Sequence, residues 1–417
     1  MASPWGLVTP AVKTVRVFTV KDLKSLKVLQ RFREALEQVL VEHPEWVHRS
    51  FEDPKRRLLL GDYLSLLLLA LFNPVARSLR ALAKASRWPK LQGMFGLGPV
   101  SLGSFSEAQH LVQPALLEHL LTEFAQELPN LEQLPPKLRR LQWLARDSSL
   151  FAALPRMAWA LYGGGRAGFV NRAVRLHVSF DLLKDGPAQA TVTPGKSCER
   201  AVLRADLQPG GAYVGDRHFG GAYHFLTLLS RKGCRYVIRH RDYGLEPTVE
   251  EELPVSAAET EQGILRQAWV RLGRTREGNL SERLRMIWLR GVNGEPLELL
   301  TNLPAAELGA ADAALLYKQR WQIEYFFRWV KCLMGCGHWL AESQQGVTTQ
   351  LYLSLIGAVL LQLDLGRRPS KRVWELFQAY LTGWVDADEL GPLLSAQLAE
   401  EVAAAQRRAA KKSKTVG

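Results

Sequence analysis

A change in hydrophobic periodicity near residue 135 constrains the fold of this chain more than any other feature of its sequence. Before that point, segments such as 23–43 repeat apolar residues every three or four positions, as amphipathic helices do. After Pro136, short apolar runs bounded by Gly, Pro or Asp predict β-strands, with helical segments between them. We therefore expect a helical N-terminal region followed by an α/β domain with a mixed sheet flanked by helices.

The segment YKQRWQIEYFFRWVK, from Tyr317 to Lys331, places one glutamate among bulky aromatics and cations. On a single helix, which advances about 100° per residue, Tyr317, Arg320, Glu324 and Lys331 fall within an arc of about 60°. The neighbouring face is apolar and is expected to pack against a core through Ile323, Phe326, Phe327 and Val330. The polar stripe would then line one side of an anchored helix.

A stripe of phenol, guanidinium, carboxylate and ammonium groups suits a site for a phosphate backbone and a metal ion. Arg and Lys contact phosphate, and a carboxylate is a hard oxygen ligand for Mg²⁺. The alternative is that Glu324 merely pairs with Arg320 and Arg328 at helical spacing, which stabilises a helix only weakly. A site for two ions needs further carboxylates from elsewhere in the chain.

Two aspartates at the ends of apolar runs are candidate partners for Glu324. Asp147 closes the run in RRLQWLARDSS and Asp216 the run in GAYVGDRHF, while Asp181 in VRLHVSFDLL competes with Asp147. In a sheet of the ribonuclease-H type, the first acid lies on the first strand, two strands and a helix follow, and the second acid ends the fourth strand. The sequence supplies those elements after Asp147 but too few after Asp181, which we interpret as a solvated strand-end acid or a turn residue.

The spacing Y-x2-R-x3-E-x6-K resembles the full signature of bacterial insertion-sequence transposases, in the group often called the insertion sequence four family. The resemblance covers 140–365 and includes DSS at Asp147, GDRHF at Asp216 and LLTNLP before the signature. His218 stands where members of that family often have glycine.

The resemblance implies that Asp147, Asp216 and Glu324 are catalytic residues that bind metal. It implies that DNA phosphates at the element's end are held by Tyr317, Arg320 and Lys331. It also implies a ribonuclease-H-like core with a β insertion between the second aspartate and the glutamate. The expected cofactor is two Mg²⁺ ions per active site, for which Mn²⁺ can substitute, and no nucleotide cofactor is expected.

The predicted elements then divide the chain into five parts. They are a helical DNA-binding region at 1–135, the first part of the ribonuclease-H-like core at 136–241, a β insertion at 242–302, the second part of the core with the Glu-bearing helix at 303–370, and a helical C-terminal region with a basic tail at 371–417.

The charge of the chain favours a polyanionic partner. The sequence has 54 Lys and Arg against 41 Asp and Glu, a formal net charge of +13, which suits nucleic acid better than an anionic membrane surface. A basic run around Trp88 predicts a face that contacts phosphates, formed by Arg77, Arg80, Lys84 and Arg87. A solvated helix face is an equally good interpretation of that run.

The sequence favours a cytoplasmic, nucleoid-associated bacterial protein. Its first residues lack the features of a secretory signal, and four cysteines are too few for a disulfide framework. The apolar run 347–365 contains Thr, Gln and Asp, so a buried helix is expected there and no membrane association.

The resemblance implies a transposase that cuts DNA at the element's ends and transfers the freed 3′-hydroxyl ends to target DNA by two-metal phosphoryl transfer. It also implies two partners: double-stranded DNA with inverted repeats at the element's ends, and a second copy of the chain in the synaptic complex. Two alternatives stay open: a DDE-type nuclease that does not join strands, and a DNA-binding protein derived from a transposase that has lost catalysis.

Overall fold

The structure is a computed structural model, and it describes most of the chain. The described residues are 28–73, 76–131, 134–164, 170–221, 223–241, 246–273, 282–291, 296–333 and 338–415. Before residue 131 they form helices α1 (Val28–Glu42), α2 (Leu60–Phe72), α3 (Leu79–Ala85), α4 (Pro89–Phe95), α5 (Leu102–Ala108) and α6 (Pro114–Glu127). Helices therefore occupy the region in which the sequence predicts them.

The middle of the chain forms a mixed sheet whose strand order is that of a ribonuclease-H-like core. Its elements are β1 (Trp143–Ala152), β2 (Leu161–Gly164), β3 (Val170–Asp181), β4 (Gly186–Pro194), α7 (Glu199–Asp206), β5 (Ala212–Asp216), α8 (Arg217–Gly220), α9 (Tyr223–Arg231) and β6 (Arg235–His240). The strands lie in the order β4–β3–β1–β5–β6, antiparallel from β4 to β1 and parallel from β1 to β6. The predicted fold class is confirmed, with β2 as an additional short strand beside β3.

The β insertion extends the core sheet. It contains β7 (Glu246–Leu253), α10 (Ala257–Glu261), β8 (Ile264–Gly273), β9 (Leu284–Leu289) and β10 (Leu297–Thr301). Strand β10 pairs antiparallel with β6, and β9, β8 and β7 follow in that order. The hydrophobic pattern predicted strands here, but it did not indicate that they continue the same sheet.

Five helices complete the described chain, and one of them is almost entirely buried. They are α11 (Ala310–Gln319), α12 (Trp321–Leu333), α13 (Gln344–Leu365), α14 (Lys371–Leu381) and α15 (Ala387–Thr415). Within the described residues, α13 alone is long and apolar enough to cross a membrane, yet 94% of its most apolar window is buried in the protein. It packs against α6, α2, α1 and β4, so the N-terminal helices and the sheet share one hydrophobic core.

His177 on β3 makes the folded state sensitive to acid. Its side chain is 7% exposed, and its Nε2 lies 2.9 Å from the Thr193 hydroxyl on β4. Burial, with help from the charges of Arg175 and Arg146, lowers the pKa of His177 from 6.5 to about 4. Between those values the unfolded chain binds a proton that the folded protein excludes, so stability falls as the pH drops through this window.

We expect acidification from about pH 7 to about pH 4 to lower the free energy of unfolding by up to about 3 kcal/mol through His177. Urea unfolding of the wild type and of His177→Gln at both pH values measures this, since glutamine does not titrate. The exposed His110 provides the control variant His110→Gln. Equal acid sensitivity in all three proteins would exclude His177 as the cause.

Candidate active site

Asp147 and Asp216 lie level with each other on neighbouring parallel strands. The last paired residues of β1 and β5 are Ala145 and Val214. Each aspartate lies two residues beyond that pair, and side chains alternate between the faces of a sheet, so both carboxylates share one face. Asp216 ends β5, as predicted.

The prediction that Asp147 closes its strand is wrong. Strand β1 continues to Ala152, because β3 pairs with it as far as Ala173. After Ala145, β1 is no longer paired with β5, although its pairing with β3 continues. Asp147 therefore lies beside a gap in the ladder, where its side chain remains 21% exposed.

Each aspartate is oriented by a backbone N–H group that follows it closely in the chain. The N–H of Ser148 donates to Asp147 Oδ1 at 2.8 Å. The N–H of His218 donates to Asp216 Oδ1, also at 2.8 Å, where Asp216 caps the short helix α8. One oxygen of each carboxylate is thereby fixed, and the second oxygen is available to other partners.

The signature segment forms two helices, so the prediction of a single helix from Tyr317 to Lys331 is wrong. Helix α11 ends at Gln319 and α12 begins at Trp321. Arg320 lies between them with helical dihedral angles, φ −51° and ψ −32°. The predicted apolar face is confirmed, because the buried residues of this segment include Ile323, Phe326, Phe327 and Val330.

Arg320 joins two of the three predicted metal ligands. Its Nη1 lies 3.3 Å from Asp147 Oδ2, and its Nη2 lies 2.9 Å from Glu324 Oε1. The Arg320 residue is only 5% exposed. Carboxylate oxygens from β1 and α12 therefore converge on a single cation at the open edge of β1.

The surroundings of Asp147 favour its neutral form more than water does. Burial raises the pKa of Asp147 to about 7, and the nearby Asp216 and Glu199 carboxylates add to the rise. The charge of Arg320 and the N–H of Ser148 oppose it. A cation at this carboxylate thus competes with a proton near neutral pH.

The other two signature residues are placed differently from Arg320. Tyr317 is 5% exposed, and with Lys318 and Arg290 it lines a cavity of about 300 Å³ between α11 and the β insertion. Lys331 lies with its Nζ 5.2 Å from the centre of the Phe151 ring, and burial lowers the pKa of its ammonium group. Phosphate contact by Tyr317, Arg320 and Lys331 stays a prediction, and in this conformation Tyr317 and Arg320 are buried.

The predicted basic face lies on the surface around α3. Its four cations are all exposed: Arg77, Arg80, Lys84 and Arg87. Trp88 beside them is 58% exposed. Arg77 Nη1 lies 3.5 Å from His338 Nε2, so this face adjoins the segment that follows the Glu-bearing helix.

Asp181 ends β3 but is buried, so the interpretation of Asp181 as a solvated acid is wrong. It is 2% exposed, and its Oδ1 accepts the N–H groups of Leu183 and Lys184, at 2.8 and 3.2 Å. Its Oδ2 accepts a hydrogen bond from the Gln142 side chain at 2.8 Å. Asp181 is therefore a turn residue whose oxygens are already used.

Sequence reasoning did not single out Glu199, the first residue of α7. Its carboxylate accepts a hydrogen bond from the Ser148 hydroxyl, next to Asp147. The two residues are 51 positions apart. Nothing in the spacing of the sequence signals that contact.

The family model described as the transposase DDE domain matches residues 144–360, just over half of the chain. That range includes both aspartates, Glu324 and the whole signature. The chain belongs to the DDE transposase family. Membership of the insertion sequence four group stays a prediction.

Two relatives carry transposase names. This chain is 26% identical over 205 residues to the putative transposase y4zB of Sinorhizobium fredii (strain NBRC 101917 / NGR234). The aligned residues cover 49% of this chain and 56% of the relative. It is also 30% identical over 210 residues to the probable transposase for insertion sequence element IS5377 of Geobacillus stearothermophilus. The aligned residues cover 50% of this chain and 52% of that relative. The chain thus spans about half the length of these relatives.

A solved structure of the piggyBac transposase synaptic complex with hairpin DNA also aligns with this chain. The alignment covers 96% of this chain and 83% of the piggyBac chain. The TM-score is 0.41 and the sequence identity is 10%. At that score the likeness adds nothing to the strand order described above.

In this structure the carboxylates of Asp147 and Glu324 are directed at a guanidinium. Mg²⁺ and Mn²⁺ prefer oxygen ligands, and Asp147 and Glu324 already direct oxygens at one cation. Among the described residues, no group of three or more His, Cys, Asp or Glu side chains is close enough to hold an ion. Arg320 contacts both Asp147 and Glu324 in this arrangement.

Proposed function

We propose that this protein is a DNA transposase that cuts at the ends of its element and transfers the freed 3′-hydroxyl ends to target DNA. The observation that supports this most directly is the convergence of Asp147 and Glu324 on one cation, with Asp216 level on the neighbouring strand. These three carboxylates would provide the negative charge that two-metal phosphoryl transfer needs.

Asp147, Asp216 and Glu324 would hold two Mg²⁺ ions, for which Mn²⁺ can substitute. When bound, such ions activate the attacking oxygen and stabilise the leaving oxygen of the phosphodiester. Arg320 would contact these carboxylates only in the ion-free protein, and its planar guanidinium could otherwise bind a phosphate with two hydrogen bonds. Arg320 would thereby exchange a carboxylate contact for a DNA contact.

The DNA would follow the basic face around α3 towards the Glu-bearing helix. The exposed cations of that face and the net charge of +13 favour the phosphate backbone of double-stranded DNA. We further propose that a homodimer pairs the two inverted-repeat ends, that no nucleotide cofactor takes part, and that the protein acts in the cytoplasm beside the nucleoid.

Incubation with Mn²⁺ and a DNA fragment that carries the element's terminal repeats and a separate target tests the proposed function. We expect cleavage at the repeat ends and joining of the 3′ ends to the target. Cleavage without joining would indicate a nuclease that does not transfer strands. Binding of the repeats without any cleavage would indicate a DNA-binding protein that has lost catalysis.

Neutralising the basic face should weaken DNA binding and its dependence on salt. Each lost phosphate contact lowers the slope of log affinity against log salt by about one. The variant with Arg80→Gln and Lys84→Gln should therefore show a slope smaller by about two in fluorescence anisotropy titrations.

The matched control removes the exposed pair before β1, with Arg139→Gln and Arg140→Gln. It loses the same charge just before β1 and leaves the four cations around α3 in place. If both variants reduced the slope equally, net charge would explain the effect and the basic face would not be a DNA contact.

A further inference from the structure

The carboxylate of Glu199 lies close to side chains that follow both candidate aspartates in the chain. Its Oε1 accepts a hydrogen bond from the Ser148 hydroxyl on β1. Its Oε2 lies 3.9 Å from His218 Nε2, just after β5. The Glu199 side chain is 19% exposed.

Ser148 and His218 are also the residues whose backbone N–H groups orient the aspartates. The N–H of Ser148 is the donor to Asp147, and the N–H of His218 is the donor to Asp216, both at 2.8 Å. Asp147 and Ser148 are consecutive, so their side chains point to opposite faces of β1. Glu199 therefore contacts β1 on the face opposite to the Asp147 side chain.

Arg175 on β3 fixes Glu199 in this position. Its Nη1 lies 2.7 Å from Glu199 Oε1 and 2.9 Å from the Ser148 hydroxyl. Its Nε donates to the carbonyl oxygen of Gly195 at 3.0 Å. The guanidinium is therefore anchored on the β4 side, and it holds both the carboxylate and the hydroxyl in one arrangement.

We propose that Glu199 is a positioning residue that sets the orientation of the Asp147 and Asp216 carboxylates. The inference rests on the proposed function, because correct orientation of those carboxylates matters for ion binding. Glu199 would act through Ser148 and His218, without contact to an ion or to DNA. Groups that orient ligands in this way affect metal affinity by about tenfold or more when they are removed.

The chain offers a matched control in the Arg367, Ser370 and Glu401 cluster. There too an arginine and a serine hydroxyl both bind one glutamate, whose side chain is 18% exposed. This cluster joins α14 and α15 and contains none of the candidate site residues. Removing Glu401 therefore reproduces the loss of a serine–glutamate–arginine network without disturbing Ser148 or His218.

The test compares Glu199→Ala, Glu199→Gln and Glu401→Ala in the full chain. Calorimetric titration with Mn²⁺ should give an affinity about tenfold weaker for Glu199→Ala and unchanged for Glu401→Ala. Glu199→Gln should recover part of the loss, since its amide oxygen still accepts the Ser148 hydrogen bond. Equal affinities for Glu199→Ala, Glu401→Ala and the wild type would overturn the proposal.

Hydrogen exchange separates failure of this inference from failure of the proposed function. The Ser148 and His218 amides should exchange faster in Glu199→Ala than in Glu401→Ala, whether or not the protein cuts DNA. If their rates were unchanged, Glu199 would not orient the aspartates, even in an active transposase. If wild-type protein bound no Mn²⁺ and cut no DNA while exchange responded as expected, only the proposed function would fail.

Discussion

Asp216→Asn should abolish Mn²⁺-dependent cleavage of end DNA while leaving the fold intact. Asparagine keeps an oxygen that can accept the His218 N–H and cap α8, but it removes the negative charge. Metal ions stabilise the transition state by several kcal/mol, and about 1.4 kcal/mol corresponds to tenfold in rate. We therefore expect a loss of about a thousandfold or more in single-turnover cleavage.

Asp181→Asn is the matched control for that experiment. Asp181 also ends a strand, but it is buried in a turn where its oxygens accept three hydrogen bonds. This variant should lower stability and retain cleavage in the fraction that folds. Full cleavage by Asp216→Asn, or abolished cleavage by folded Asp181→Asn, would show that the acids of the site are wrongly assigned.

Arg320→Met should destabilise the ion-free protein and make it respond more strongly to Mn²⁺. Methionine leaves Asp147 and Glu324 without their common cation, and removing one member of a largely buried ion pair costs about 3 kcal/mol. An ion that binds only the folded state restores stability, and in this variant it displaces no guanidinium. Thermal unfolding with and without Mn²⁺ measures both effects.

The conservative variant Arg320→Lys separates charge from geometry. Lysine keeps a positive charge but cannot bridge two carboxylates with a planar fork. Its ion-free stability should lie between those of the wild type and Arg320→Met. If Mn²⁺ raised the unfolding temperature of all three proteins equally, Arg320 would not compete with the ion for this site.

The sequence predicted the candidate acids because each lies in a local pattern. Asp216 follows an apolar run that forms β5, and Glu324 lies on a helix whose apolar residues are buried. Asp147 was preferred to Asp181 from the order of elements, and Asp147 is the one that lies beside Asp216. Its place within a longer strand was missed, because the partner that extends β1 is β3, on a separate segment of the chain.

The break at Arg320 could not be predicted from helical spacing. The signature lies in one continuous helical pattern, and the backbone of Arg320 remains helical. What sets Arg320 apart is its contact with Asp147, which is 173 positions away in the chain. Such a contact depends on how α12 packs over the sheet, and periodicity within the segment carries no information about it.

The sequence by itself predicted the types and order of most elements and the excess of positive charge, because side-chain periodicity and composition are properties of neighbouring residues. The three candidate acids were predicted from the resemblance to transposases. The tertiary structure alone decided that the β insertion continues the core sheet, that Arg320 contacts both Asp147 and Glu324, and that Glu199 lies close to Ser148 and His218. Each of those features joins distant segments through packing and charge, and packing is fixed only when the whole chain has folded.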